Sequence, residues 1–287
     1  MNVRAKLVGI LSIPFLFLCQ GCIVNVSGWS SGPRIWTESV TEQISVDPAG
    51  ISALVVRTHN GAITFTGDSA AGGIQITATK KGGGHSLADA EAALNAVDVY
   101  AEPTVGGTTR IGWRWRELKQ ASWSAQVSFD VTGPSRISVD GETHNGRVRM
   151  VGVEGDVRVV THNGRIDVES VGGKLYAETH NGGISATYAG RDVTIRSHNG
   201  EVVADLAGCQ SVDARVETHN GAVDLVLGDG VSGRLDALTH NGSIRCDVPV
   251  TDSRITRQRL TGTIGTGEGN LDVSTHNGSI RLKKSAG

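Results

Sequence analysis

The sequence predicts an all-β chain wound as a single parallel β-solenoid, a β-helix with coils of about 18–21 residues and one short helix in an N-terminal excursion. Three observations carry that expectation. The tetrapeptide Thr/Ser-His-Asn-Gly recurs eight times in 287 residues, with histidine spacings of 18, 18, 18, 21, 21 and 36 from His144 onward; a fixed period near 20 is the mark of a stacked repeat. Apolar residues keep a constant register around each histidine. Glycine, at 39 residues, is about twice its usual share of roughly 7%, while aromatics are only 4%, which favours turns and strands over helices.

The N-terminus is an address. Residues 1–21 read as a signal peptide: Arg4 and Lys6 precede the apolar run Leu7–Leu18, which is too short to span a bilayer. The run leads into Leu18-Cys19-Gln20-Gly21-Cys22, which resembles a bacterial lipoprotein signal. That resemblance implies cleavage before Cys22, lipidation of Cys22, and attachment to a membrane through the lipid. Ile23 in place of Asp implies the outer membrane in a Gram-negative cell. Residues 22–39 read as the lipid-anchored tether, because Asn25–Pro33 is rich in Ser and Gly. Residues 40–284 read as the solenoid domain, with 66–131 an irregular insertion or cap.

The first repeat copy surrounds His59. Beyond it the period breaks. Ile74, Ile76 and Ala78 alternate as a strand, and Lys80–Gly84 reads as a loop. Ser86 with Asp89 resembles a capping box ahead of Leu87, Ala90, Leu94 and Val97, which predicts a helix over 87–97. Three strand-like stretches follow, at 97–101, 108–116 and 122–131.

From His144 the register defines each coil. Counting from the histidine, −5, −3 and −1 share one face of a first strand. Positions +4, always Ile or Val, and +6 share one face of a second strand. The parity changes between them, so the chain bends at Asn-Gly. Gly there is expected to supply an unusual dihedral cheaply, and Asn to bond to the next coil as a ladder. The Thr261-Gly262-Thr263-Ile264 stretch fills the long last gap as a degenerate eighth coil, for a rod of roughly 38 Å. Cys246, at +6, is expected in the core and Cys209 in a loop, two coils apart, too far for a disulfide.

The recurrent T-x-N-G-x-I/V, the degenerate Leu260-Thr-Gly-Thr-Ile-Gly and Leu271-Asp-Val-Ser-Thr-His-Asn-Gly-Ser-Ile together resemble a bacterial family of unknown function with β-strand repeats, often labelled candidate adhesins. The resemblance covers about residues 40–283 and implies an envelope location and contact with a surface. It carries no catalytic residues.

Charge and motifs narrow the function classes. Lys plus Arg is 27 and Asp plus Glu 29, without the basic excess of a nucleic-acid binder. Gly28-Trp29-Ser30-Ser31-Gly32 matches a nucleophile motif but lies in the tether, away from the strand and helix that chemistry requires. No cofactor motif stands out, and no enzyme is expected. The chain reads instead as a lipid-anchored cell-envelope module for binding or structure, its partner an envelope protein or a glycan. Two alternatives stay open. One is metal binding by an exposed histidine ladder, with His144, His162, His180, His198, His219 and His240 as ligands. The other is a polysaccharide-active β-helix enzyme. A further binding candidate is the strand carrying Trp113 and Trp115 on one face and Arg114 and Arg116 on the other.

Overall fold

The computed structural model describes residues 36–285. The signal peptide, Cys22, Ser30 and most of the tether lie outside the described residues. Strands β1 (Trp36–Val46), β2 (Ala53–Arg57), β3 (Ile63–Gly67) and β4 (Ile74–Gly84) precede helix α1 (Leu87–Ala96). Strands β5 (Val97–Thr104), β6 (Thr108–Trp115) and β7 (Ser124–Gly133) follow it. Regular coils then pair β8 (Ser138–Asn145) with β9 (Val148–Val153), β10 (Val157–Asn163) with β11 (Ile166–Val171), and β12 (Leu175–Asn181) with β13 (Ile184–Tyr188). Further coils pair β14 (Asp192–Asn199) with β15 (Val202–Asp205), β16 (Val212–Asn220) with β17 (Val223–Leu227), and β18 (Gly233–Asn241) with β19 (Ile244–Cys246). A hairpin of β20 (Thr251–Ile255) and β21 (Arg259–Ile264) comes before the last coil, β22 (Gly269–Asn277) with β23 (Ile280–Lys284).

The first strands of the coils form one sheet and the second strands the other, with parallel pairing throughout the regular coils. The core lies between the sheets, filled by the register positions the sequence singles out. Positions −5, −3, +4 and +6 are buried from Leu54 to Leu282, except Ile244 and Cys246. Those two are half-buried because β19 is the edge of its sheet. Cys209, expected in a loop, is the buried cysteine: its thiol turns under the coil and donates to the Tyr188 carbonyl at 3.5 Å. Both thiols are free.

The coils do not stack in chain order. The β22–β23 coil inserts between the β16–β17 coil and the β18–β19 coil. The degenerate copy is therefore not an eighth coil in the His144 series. It becomes β21, antiparallel to β18, and the hairpin covers that end of one sheet. Specific contacts fix the insertion. Gly233 in β18 leaves room for Leu271, whose Cδ1 would lie 2.3 Å from any added Cβ. Asp224 of β17 takes Arg281 at 2.6 Å and Lys283 at 2.7 Å from β23.

The His59 coil stacks on the His144 coil, 85 residues later, through β2–β8 and β3–β9. The intervening segment extends both sheets past the rod end. Strands β7, β4 and β1 continue one, and β6 and β5 the other. Strand β1 starts at Trp36, inside the stretch read as tether. Lys80–Gly84, expected as a loop, is the end of β4, paired with β1 and β7. The glycines are there for the helix: an added Cβ on Gly82 would sit 2.5 Å from the Ala90 carbonyl, and one on Gly84 2.2 Å from the Asp89 Cβ. Helix α1 therefore packs small on small. It buries Ala90, Ala93 and Ala96, while Leu87 is exposed. Its N-terminus is capped as expected, the Ser86 Oγ accepting from the Asp89 N–H at 3.0 Å. Lys80 passes beneath the helix, bonds the Val97 carbonyl at 3.4 Å and pairs with Glu42 at 3.0 Å, placing a cation at the negative end of the helix dipole.

Candidate functional site

Each residue of the tetrapeptide occupies its own column along the rod. The Thr or Ser at −1 is buried in every coil from His144 onward. Its hydroxyl donates to the glycine carbonyl of the adjacent coil: Thr161 to Gly146 at 3.1 Å, Thr179 to Gly164 at 3.0 Å, Ser197 to Gly182 at 2.9 Å, Thr218 to Gly200 at 2.9 Å. Unsatisfied buried carbonyls are costly, so this bond explains why a hydroxyl stands on an inward face.

The asparagines form the expected ladder. Asn145 donates to Asn60, Asn163 to Asn145, Asn181 to Asn163, Asn199 to Asn181, Asn220 to Asn199, Asn277 to Asn220 and Asn241 to Asn277, all at 2.7–2.9 Å. The last two bonds follow the spatial order of the coils, not the chain order.

The glycine column has a different cause from the expected one. Of the motif glycines only Gly61 has a positive φ. The others face the preceding glycine so closely that an added Cβ would lie 1.9–2.1 Å from its carbonyl oxygen. Glycine is required for close approach, not for a left-handed dihedral.

The histidines are exposed in all eight coils. Their rings stack face to face, with seven successive centroid separations of 4.6–4.9 Å. The column runs His59, His144, His162, His180, His198, His219, His276, His240 and extends roughly 33 Å at one coil spacing per ring. Ring nitrogens hold their lone pairs in the ring plane, so parallel stacked rings do not aim two nitrogens at one point between them. A tetrahedral ion needs such convergence. Among the described residues no group of three or more His, Cys, Asp or Glu is arranged to hold a metal.

The charged columns beside the histidines are ion-paired. Arg196 meets Glu217 at 3.1 Å, and Glu217 also takes Arg215 at 2.6 Å. Glu178 accepts from the Tyr176 hydroxyl. Asp167 is held by Arg147 at 2.6 Å and Arg165 at 2.7 Å, while Arg149 turns to Glu169 at 3.0 Å. In a shallow trough of about 410 Å³ on the sheet formed by the first strands of the coils, Asp140 pairs with Arg57 at 2.7 Å and Arg158 at 3.2 Å, and Asp192 with Lys174 at 3.6 Å.

Trp113 and Trp115 share the inner face of β6, half-buried against the core. Trp113 donates to the Thr58 hydroxyl at 3.2 Å, and Trp115 packs on Trp123 with centroids 6.0 Å apart. Arg114 bonds Asp98 at 3.1 Å and Glu102 at 3.0 Å and lies over the Tyr100 ring; Arg116 bonds Asp98 at 3.1 Å. The rings are occupied in packing and the guanidiniums in pairs across β5. Strand β6 stacks on β2 and Trp113 bonds Thr58 of the first motif, so these residues flank the His59 end of the histidine column, which runs along the Asn-Gly edge of the coils.

Comparison with known proteins follows this geometry. A family model described as Toastrack DUF4097 matches residues 43–283. The chain is similar to the crystal structure of a candidate adhesin from Bacteroides fragilis, at 11% identity and a TM-score of 0.43, covering 86% of this chain and 97% of that one. It is similar to a candidate cell adhesion protein from Clostridium sporogenes, at 12% identity and a TM-score of 0.31, covering 85% and 99%. A candidate adhesin from Parabacteroides distasonis is 8% identical with a TM-score of 0.31, covering 85% and 96%. No curated protein matches the chain.

Proposed function

The chain belongs to the Toastrack family (DUF4097), and from that premise we propose that it is a lipid-anchored module of the cell envelope that binds or braces a partner and catalyses no reaction. One observation carries the reading: the same tetrapeptide recurs at the same place in eight stacked coils and presents its His and Asn side chains as a ribbon. A catalytic site needs unlike groups converging at one point, whereas a repeated ribbon suits an extended partner. The carboxylates near the ribbon are engaged, Asp167 and Glu217 with arginines and Glu178 with the Tyr176 hydroxyl, which among the described residues leaves no free pair there of the kind glycoside cleavage uses. The anchor rests on the sequence Leu18-Cys19-Gln20-Gly21-Cys22, with Ile23 favouring the outer membrane of a Gram-negative cell. The partner is an envelope protein or a glycan.

The test is metabolic labelling with a palmitate analogue in cells producing the wild type or Cys22→Ala. The wild type is expected to carry label and to sediment with membranes, and Cys22→Ala to lose both. An unlabelled wild type, or a Cys22→Ala protein still fractionating with membranes, would overturn the anchor.

A further inference from the structure

We propose that the histidine column is a pH-gated docking strip for a linear carboxylated polysaccharide. This names a ligand class for the binding module proposed above and rests on that reading. The argument begins with what each motif residue does inside the fold. Thr, Asn and Gly make the contacts between coils: hydroxyl to carbonyl, amide to amide, and backbone to backbone without a Cβ. The imidazole nitrogens do none of this. Among the described residues no histidine ring nitrogen is hydrogen-bonded or ion-paired to the protein. Stacking alone calls for a flat ring, and Phe or Tyr would supply one. Yet eight of the nine histidines in the chain stand in this column, with their polar edges in solvent.

The strip's charge is set by these rings. Flanking the histidines on β2, β8, β12, β14 and β16, position −2 holds Arg57, Glu142, Glu178, Arg196 and Glu217. On the far side of the bend, before β9, β11 and β15, position +3 holds Arg147, Arg165 and Glu201. Three carboxylates against two guanidiniums in one column are cancelled by one against two in the other. Further out, Arg149, Asp167, Asp224, Arg245 and Arg281 sit at +5, and Asp167 and Asp224 are held by arginines. The ribbon is therefore close to neutral when the imidazoles are neutral. It becomes a row of up to eight positive charges when they protonate.

The geometry selects the partner's shape. One charge every 4.6–4.9 Å along a straight line matches a polymer with regularly spaced anions better than a compact anion. A hollow of about 430 Å³ lined by Asn60, Asn145, Lys81 and Gln126 flanks the His59 end of the ladder, but the rings themselves stand exposed in solvent, so the ligand lies along the rod. Beside it runs the asparagine ladder. Each amide carries two N–H donors and uses one on its neighbour, leaving the other for hydroxyl or carboxylate oxygens at the same repeat. Carboxylates stay ionised well below the range where imidazole protonates, so the ligand keeps its charge while the strip gains its own.

The experiment measures binding of the full-length protein in detergent to polygalacturonate at about pH 5.5 and about pH 7.5, with uncharged dextran as control. Electrostatic complementarity predicts affinity about tenfold or more tighter at the lower pH. The triple variant His162→Gln, His180→Gln, His198→Gln should lose most of that gain, and Lys174→Gln with Arg191→Gln, at the opposite edge of the coils, should keep it. The single variant His180→Gln, checked for an unchanged melting temperature, guards against misfolding and should weaken binding at about pH 5.5 only. Equal affinity at the two pH values, equal binding of dextran, no binding at the lower pH, or binding indifferent to the histidines would each overturn the proposal. Palmitate labelling reads the anchor separately, so failure of one is distinguishable from failure of the other.

Discussion

Replacing Gly182 by alanine tests whether the motif glycine exists for close approach. The new Cβ would sit 2.0 Å from the Gly164 carbonyl oxygen, where real Cβ atoms keep beyond 3.0 Å. The coils must part by about 1 Å at the bend. Three bonds cross that gap: Thr179 Oγ to the Gly164 carbonyl at 3.0 Å, Asn181 to Asn163 at 2.9 Å, and the Gly164 N–H to the Asn181 carbonyl at 3.0 Å. At about 1 kcal/mol each, their loss gives roughly 3 kcal/mol, the upper part of the range for overpacking. For a chain of this size that is a fall in melting temperature of roughly 6–12 °C. Gly72→Ala is the control, since nothing lies within 4 Å of its added Cβ, and should melt with the wild type. Differential scanning calorimetry of the three proteins reads both. If Gly182→Ala melted with Gly72→Ala, the close-approach argument would be refuted.

Thr179→Val keeps the shape but orphans the Gly164 carbonyl and should cost about 1–3 kcal/mol, while Thr179→Ser should restore most of it; a Val variant as stable as the wild type would show the hydroxyl to be dispensable. Protonating neighbouring imidazoles 4.6–4.9 Å apart adds about 0.9 kcal/mol of repulsion per charged pair even at the dielectric of water, and only in the folded state. Without a polyanion, protonating the column should therefore lower the melting temperature, and added salt should blunt the loss; a melting temperature unmoved by acidification would contradict this. At high pH the order reverses. Burial pushes the Cys209 thiol from 9.0 up to about 11 and raises the Tyr188 phenol, so the fold holds both neutral. Their stabilisation is complete below the ordinary thiol range and fades as pH rises through about 11, which alkaline melting curves would show or deny. The coil order predicts that Glu217→Cys with Ser274→Cys, register partners on β16 and β22, forms a disulfide under mild oxidation. Glu217→Cys with Leu238→Cys should not, because β22 lies between those strands; the opposite pattern would restore chain order.

Much of this architecture is legible in the sequence because the repeat states its own register. The parity change across Asn-Gly separates the two sheets, and Thr, Asn and apolar columns fall where the periodicity puts them. The outward histidine column follows from the same count. What local pattern could not reveal depends on partners distant in the chain. The His276 copy looks like every other copy, so nothing in its own residues announces insertion between β16 and β18; Gly233 opposite Leu271 and Asp224 opposite Arg281 decide it. The run Lys80–Gly84 has the composition of a loop because glycine also serves a strand that must receive a helix. The same confusion hid the reason for the motif glycine, whose constraint comes from the neighbouring coil rather than from its own dihedral. The two cysteines exchanged expected roles because β19 ends its sheet and leaves Cys246 half-exposed, while the turn after β15 tucks Cys209 under Tyr188.

The most direct test of the functional account is photo-crosslinking in living cells from two positions of the anchored protein. A photoreactive residue replaces Ser279, beside the histidine column, or Gln210, in the exposed loop at the opposite edge of the coils. The account predicts capture of high-molecular-weight envelope polysaccharide from position 279, stronger in mildly acidic medium, and little from position 210. Equal capture from both edges, or none from position 279 in cells where the protein is membrane-attached, would contradict it.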